Sequence, residues 1–272
     1  MASTRRRWWL SMLRFDSRCI ALLALLCSCC VQADPLLVEV RGHRVQQGLF
    51  SLFTHPGEQL SLGLLPYDTG ELQLYLENRP YGSALSGEWQ LRAPHEPGLY
   101  RLRLSHLQTG ANTHFNLFVG RPASEINGEH LHGYQIGPQP PGHSLHPYLY
   151  RPPRAFLEVT EDNIDTPLSP HFTLRQFLCK QEAGFPKYVA LEESLLVLLE
   201  GLVGAVRDAG FPVESFGVIS GYRTPYYNKQ IGNVPNSRHV YGDAMDFFID
   251  LDGDGNMDDL NRDGERNRAD VD

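Results

Sequence analysis

Two short segments in the last third of the chain hold side chains that can do chemistry together. The first, Ser220-Gly221-Tyr222-Arg223-Thr224-Pro225, follows Phe216-Gly217-Val218-Ile219, which reads as a buried strand. A glycine turn at a strand end puts the following side chains on a rim, and Arg223 there offers a planar fork of donors suited to a carboxylate. The second, Ser237-Arg238-His239-Val240-Tyr241-Gly242-Asp243-Ala244-Met245-Asp246, runs into Phe247-Phe248-Ile249. Alternation puts Met245, Phe247 and Ile249 on one strand face and Ala244, Asp246 and Phe248 on the other. An acid entering such a strand needs a partner, because an unpaired buried carboxylate is costly or takes up a proton. His239 can share a metal with it, Gly242 letting the chain turn back between them. Imidazole nitrogen plus carboxylate oxygen suits zinc, and a catalytic zinc needs a third protein ligand and an open position for water. A plain His-Asp hydrogen bond satisfies the same spacing.

The acidic tail offers a different chemistry. Asp250, Asp252, Asp254, Asn256 and Asp258 occupy positions 1, 3, 5, 7 and 9 of a calcium loop, with Gly255 at the sharp turn and Asn261 at position 12. A second copy follows nine residues later, with Asp259, Asn261, Asp263, Gly264, Glu265, Asn267 and Asp270 in the same places. The overlap at Asp259 to Asn261 argues against two complete independent sites. Neither position 12 is the bidentate glutamate of a sensor loop, so calcium or another hard cation is expected to bind more weakly than in a sensor. A solvated acidic tail is the alternative, and without a cation so many carboxylates are expected to repel one another and leave the tail disordered.

Taken as an ordered pair, Ser-Gly-Tyr-Arg-Thr followed by Ser-x-His-x-x-Gly-x-Ala-x-Asp resembles the zinc D-alanyl-D-alanine carboxypeptidase and endopeptidase family of the LAS superfamily, whose members trim peptidoglycan peptides. The resemblance covers roughly the expected second domain, residues 171–272. It implies that His239 and Asp246 are zinc ligands, that Arg223 holds the terminal carboxylate of the peptide, and that Ser237 either supports the metal ligands from behind or contacts substrate. It also implies a later His-x-His or His-x-Asp strand with the third ligand and commonly the general base. This sequence has no histidine after His239. The expectation is therefore a C-terminally truncated peptidase module, or else another third ligand; His130, His132, His143, His146 and His171 lie upstream, but none sits in a matching motif.

These segments need elements to position them. Leu191, Leu195, Leu198, Leu202 and Val206 recur at helical spacing before Gly210, which is placed to end a helix, and all five are expected in the core. Thr173 and Gln176 have capping-box spacing for a short helix that carries Cys179 as a small core residue. From Leu36 to Val119 the pattern alternates with period two between turns. Tyr100, Leu102 and Leu104 turn through Gln108 to Asn112 into Phe115, Leu117 and Val119, which is a hairpin signal. Residues 121–170 are rich in Pro, Gly and His, so little regular structure is expected there. The expected fold is an N-terminal all-β sandwich, immunoglobulin-like, over 34–120, a connector over 121–170, and a C-terminal α+β zinc peptidase-like domain over 171–272.

Composition bounds the rest. At 272 residues with 42% hydrophobic and 21% charged content, the chain is neither disordered, collagenous nor a multi-span membrane protein. Residues 1–33 carry five arginines, then an apolar run from Ile20 to Cys30 and Val31-Gln32-Ala33, the order of a cleaved signal peptide. Export to the periplasm or cell envelope is expected, with no stable transmembrane segment after cleavage. Cys27, Cys29 and Cys30 keep a lipoprotein open. The formal charge is −8, and the span from Asp246 to Asp272 holds ten acids against three arginines, which disfavours nucleic acid and favours a bound cation. The function classes that remain are an exported zinc peptidase acting on peptidoglycan peptides, a catalytically inactive peptidoglycan-binding envelope protein, and a calcium-stabilised scaffold.

Overall fold

The N-terminal strands are β1 (Val38–Val40), β2 (His43–Val45), β3 (Leu49–Thr54), β4 (Gln59–Leu64), β5 (Leu72–Leu76), β6 (Arg79–Ser83), β7 (Glu88–Arg92), β8 (Gly98–His106) and β9 (Asn112–Val119). Their alternation dictates the layers. In β4 and β7 every second side chain is buried, so Leu60, Leu62, Leu64, Trp89 and Leu91 face inward while Gln59, Ser61, Glu88 and Gln90 face out. These strands form an antiparallel sheet in the order β2-β1-β4-β7, and the others form a second sheet in the order β3-β9-β8-β5-β6. The hairpin of β8 and β9 is antiparallel, while β3 runs parallel to β9 with Leu49 opposite His114 and Thr54 opposite Val119. Phe50, Leu52, Leu62, Leu74, Leu91, Phe115 and Leu117 are fully buried. Each contributes about 1.5–3 kcal/mol by leaving water. The coordinates are a computed structural model and describe residues 34–65, 72–83, 88–140, 142 and 145–270. The expected signal peptide with its cysteines, and His143, lie outside the described residues.

Residues 121–170 hold more regular structure than their Pro and Gly content suggests. They contribute β10 (Arg121–Pro122), β11 (His130–Leu131), β12 (Tyr134–Gln135), β13 (Ala155–Val159) and β14 (Pro167–Ser169). Strand β13 is the middle of a three-stranded sheet between β10 and a later strand. The chain continues through β15 (Phe172–Thr173), β16 (Lys187–Val189), α1 (Glu193–Asp208), β17 (Phe216–Ser220), α2 (Pro225–Gln230) and β18 (Asp246–Ile249). The capping box forms, with Thr173 and Gln176 closing a 3-10 turn over Leu174–Phe177. Helix α1 ends where expected, Gly210 taking φ +99°. Its buried face differs from the expected stripe: Leu195, Leu196, Leu199 and Val203 are inside, while Leu198 is 59% exposed. Strand β17 is also less buried than its apolar run implies, with Ile219 52% exposed. Behind it Phe216 stacks on Phe247 at 4.6 Å between ring centroids, and Phe172 packs on Phe216.

The described residues are mostly strands with few helices, they belong to one compact unit, and their buried apolar side chains form one cluster from Val38 to Tyr222. A polar clasp reinforces this continuity. Glu193, buried at the first turn of α1, accepts hydrogen bonds from the Phe53 N–H at 2.8 Å and from Arg41 at 2.6 Å. No helix among the described residues is long and apolar enough to cross a membrane.

Candidate metal centre

Strands β17 and β18 pair antiparallel with Phe216 opposite Ile249 and Ser220 opposite Asp246. That register brings the two chemistry-bearing segments together. After Ser220 the chain presses onto the 3-10 turn: a Cβ on Gly221 would lie 2.7 Å from the Phe177 Cα, so only glycine passes there. The Tyr222 N–H then bonds the Phe177 carbonyl, and the Arg223 N–H bonds the His239 carbonyl. His239 sits in a 3-10 turn over Arg238–Tyr241 that Gly242 ends at φ +82°. A Cβ on Gly242 would meet the Ala190 carbonyl oxygen at 2.5 Å.

Three of the four expected site side chains converge. The Arg223 Nε donates to the Ser220 hydroxyl at 2.7 Å, and its Nη2 donates to Asp246 Oδ2 at 2.6 Å. The same Oδ2 lies 3.3 Å from His239 Nε2. His239 and Arg223 are each 8% exposed, whereas the Asp246 side chain is 47% exposed. Asp246 is thus a rim carboxylate, not the buried acid that strand alternation suggested, because it stands at the start of β18 beside the turn. Its arginine partner, and Ser220 as that arginine's anchor, went unread in the sequence. Ser-x-x-Arg spacing was the available local signal, but the strand register that aims Arg223 at Asp246 is not a local property. Ser237 caps the turn that carries His239 without a side-chain capping bond, and joins none of these contacts.

The donor set fits zinc in type and spacing. His239 Nδ1 lies 2.7 Å from the Gly221 carbonyl oxygen. A carbonyl only accepts, so Nδ1 carries the proton, and a neutral imidazole turns the Nε2 lone pair toward Asp246. A lone pair facing a carboxylate oxygen is repulsive unless a cation or a second proton lies between them. Two ligands of one tetrahedral zinc stand roughly 3.3 Å apart, which is the separation seen here. The backbone carbonyl on Nδ1 supplies the outer support that fixes a metal-binding histidine. A third donor is a different matter. Among the described residues, no other His, Cys, Asp or Glu completes a three-donor cluster with this pair. His171 is engaged by Glu200 at 2.6 Å, and His132 by Glu125 at 2.7 Å.

In the tail, Asp250, Asp252 and Asp254 each bring a carboxylate oxygen within 4.8 Å of the others. The two nine-residue copies fold alike. Asp250 accepts from the Asp254 and Gly255 N–H groups, as Asp259 does from those of Asp263 and Gly264. The hydrogen bond from the Asn256 backbone N–H holds the Asp254 carboxyl below the usual range. Asp270 is likewise held low, chiefly by the Asn267 N–H, and it also accepts from Leu260 and Asn261. The Asn256 backbone N–H donates to Asp254 Oδ1, and the Asp258 carboxylate accepts from the Leu251 N–H.

Residues 170–263 match the family model described as Peptidase M15. No curated protein matches the chain. A solved structure of Clostridium thermocellum CbhA fibronectin(III)-like modules aligns with 30% of this chain and 95% of that one, at 11% identity and a TM-score of 0.22.

Proposed function

We propose that this chain is an exported zinc metallopeptidase acting on peptidoglycan stem peptides, of the D-Ala-D-Ala carboxypeptidase or endopeptidase type. The match of residues 170–263 to Peptidase M15 supports the class. The observation that carries it is the His239 Nε2 to Asp246 Oδ2 pair at 3.3 Å, with Nδ1 tied to a carbonyl. Zinc held there supplies a Lewis acid for the scissile carbonyl and an acidified water. Ser220 and Asp246 hold the Arg223 guanidinium by two of its edges, leaving Nη1 to grip a peptide carboxylate. Ser237, at the start of the His239 turn, is the second substrate contact in this reading. The N-terminal sheets over 34–120 form an immunoglobulin-like accessory sandwich, residues 121–170 the connector, and 171–272 the peptidase-like module. The tail from Asp250 to Asp258 takes calcium, which would order the segment that continues β18.

One observation favours a second reading, a catalytically inactive envelope protein that binds peptidoglycan through the same cleft. No third donor joins His239 and Asp246 among the described residues, and a two-ligand site holds zinc poorly. Elemental analysis of the purified chain, D-Ala release from a pentapeptide and retention on peptidoglycan separate the readings. The peptidase reading expects one zinc per chain and D-Ala release, both lost in His239→Ala. Absence of zinc, or release unchanged in that variant, sinks it. Retention on peptidoglycan with no release selects the second reading.

A further inference from the structure

Residues 135–137, at the end of the β11–β12 hairpin and upstream of the span that matches Peptidase M15, meet the Arg223 loop from behind at three points. The Tyr226 N–H donates to the Ile136 carbonyl at 3.0 Å. A Cβ on Gly137, which takes φ +90°, would lie 2.5 Å from that same Tyr226 nitrogen, so the two backbones approach with no room for a side chain. The third contact runs through Gln181. Its Nε2 donates to the Gln135 carbonyl at 3.1 Å, and its Oε1 accepts from the Thr224 hydroxyl at 2.6 Å.

These bonds have a fixed direction. A carbonyl only accepts, so the end of the Gln181 amide at Gln135 is the NH2 group and the end at Thr224 is the oxygen. The Thr224 oxygen takes the Tyr227 N–H at 3.0 Å as the N-cap of α2, which leaves its own proton for Gln181. A chain of donors and acceptors thus runs from Tyr227 through Thr224 and Gln181 to Gln135. It is closed to water, Thr224 being 0% and Gln181 5% exposed. Removing one member there leaves the next unpaired in a dry place. Glutamine suits the position because one amide carries both a donor and an acceptor. A carboxylate has no donor for Gln135, and an apolar side chain of equal length strands Gln135 and Thr224 alike.

Thr224 follows Arg223, whose backbone N–H is on the His239 carbonyl. Ser220 and Asp246 hold the Arg223 side chain from the strand side, and the Thr224–Gln181 bond holds the backbone from the other. We propose that Gln181 is a positioning residue: by tying Thr224 to residues 135–137 it fixes the backbone from which Arg223 presents its guanidinium. The inference rests on the reading of Arg223 as the group that receives a carboxylate, and it assigns part of the aim of Arg223 to a segment outside the matched span.

Nitrogen-15 relaxation of the arginine Nε–H groups in the full chain tests it, because the order parameter describes the native state and does not follow global stability. The parent Arg223 Nε–H, buried on Ser220, should be rigid, near about 0.8. Arg121, on Glu158 at 2.7 Å, and Arg207, on the Val213 carbonyl at 2.7 Å, are the controls. Gln181→Met, of similar length, should lower Arg223 below about 0.6 and leave both controls at their parent values. Thr224→Ser keeps the hydroxyl and should keep Arg223 rigid. Thr224→Val lacks it, should match Gln181→Met, and takes its place if that variant does not fold. A rigid Arg223 in Gln181→Met, a fall at all three arginines together, or Thr224→Ser as mobile as Thr224→Val overturns the proposal. In D-Ala release, Gln181→Met should raise KM about tenfold with kcat within about twofold; a loss confined to kcat also overturns it. Absence of release from the parent chain fails the peptidase reading alone, and the order parameters then decide the positioning role.

Discussion

Replacing Glu193 with alanine should destabilise the whole described unit by about 2–4 kcal/mol. The side chain is 6% exposed and does two things, accepting from the Phe53 N–H at 2.8 Å and from Arg41 at 2.6 Å. Its loss leaves a buried backbone donor without an acceptor, which costs about 1–3 kcal/mol. Arg41 remains bonded to Glu58 at 2.8 Å and to the Phe53 carbonyl at 2.7 Å. The ion-pair part of the loss is accordingly small, about 0.5–1 kcal/mol, and the missing acid in the first turn of α1 adds about 0.3–1 kcal/mol. Glu193→Gln keeps an acceptor for Phe53 and should lose only about 1 kcal/mol. Urea unfolding of the full chain, followed by circular dichroism and tryptophan fluorescence, measures both variants. Coincident single transitions are expected, because the clasp joins β3 to α1 inside one apolar cluster. A Glu193→Ala loss below about 0.5 kcal/mol, a glutamine variant as damaged as the alanine one, or separate transitions for the two probes would refute the reasoning.

Gly242→Ala forces an alanine into φ +82° with its Cβ against the Ala190 carbonyl at 2.5 Å, so a loss of about 2–4 kcal/mol in urea unfolding and weaker zinc retention should appear together. Glu192 reaches solvent, yet partial burial first and then Glu193 and Asp243 raise its carboxyl above the reference 4.5; the folded state holds the extra proton longer, so stability falls by a small, solvent-screened amount as pH rises above about 4.5. Subtracting the Glu192→Gln stability at pH 5 and at pH 8 checks this, and an identical difference at both pH values would contradict it. Calcium titration should slow amide exchange at Asp254 and Gly255, whose N–H groups point at Asp250; unchanged exchange across 239–270 would remove calcium from the tail.

Local signals were readable wherever the local chain decides the outcome. Thr173 and Gln176 close their capping box, Gly210 ends α1 in a left-handed conformation, and the turn before Asn112 makes the β8–β9 hairpin. The alternation at β18 also put Met245, Phe247 and Ile249 on the face that packs against the core. The face of α1 was not readable, because leucines at 195, 196, 198, 199 and 202 supply more apolar positions than one stripe needs. Packing on the sheets selects Leu195, Leu196 and Leu199 and leaves Leu198 outside. Pairings across the seam were equally hidden: Arg41 and Glu193 are 152 residues apart, and nothing in either neighbourhood announces the other. The shift of Glu192 depends on the same seam, since two of the groups acting on it are Arg41 and Asp243.

Arg223 joins the legible part of the candidate site to the hidden part. Its place after a strand and a glycine turn suggested an open fork waiting for a carboxylate, yet the fork already holds one, Asp246, and is nearly buried. The two roles are compatible because guanidinium presents three edges. Nε rests on Ser220 and Nη2 on Asp246, so the plane is fixed in orientation before any ligand arrives, and little freedom remains to be lost on binding. A lysine could satisfy Asp246 or reach outward, but its single ammonium cannot be locked by two anchors and still present a flat third edge. The half-exposed carboxylate of Asp246 then has a positional logic as well. At the start of β18 its Oδ2 accepts from Arg223 and also faces His239 Nε2 at the spacing of two zinc ligands, while the rest of the side chain stays open to the rim.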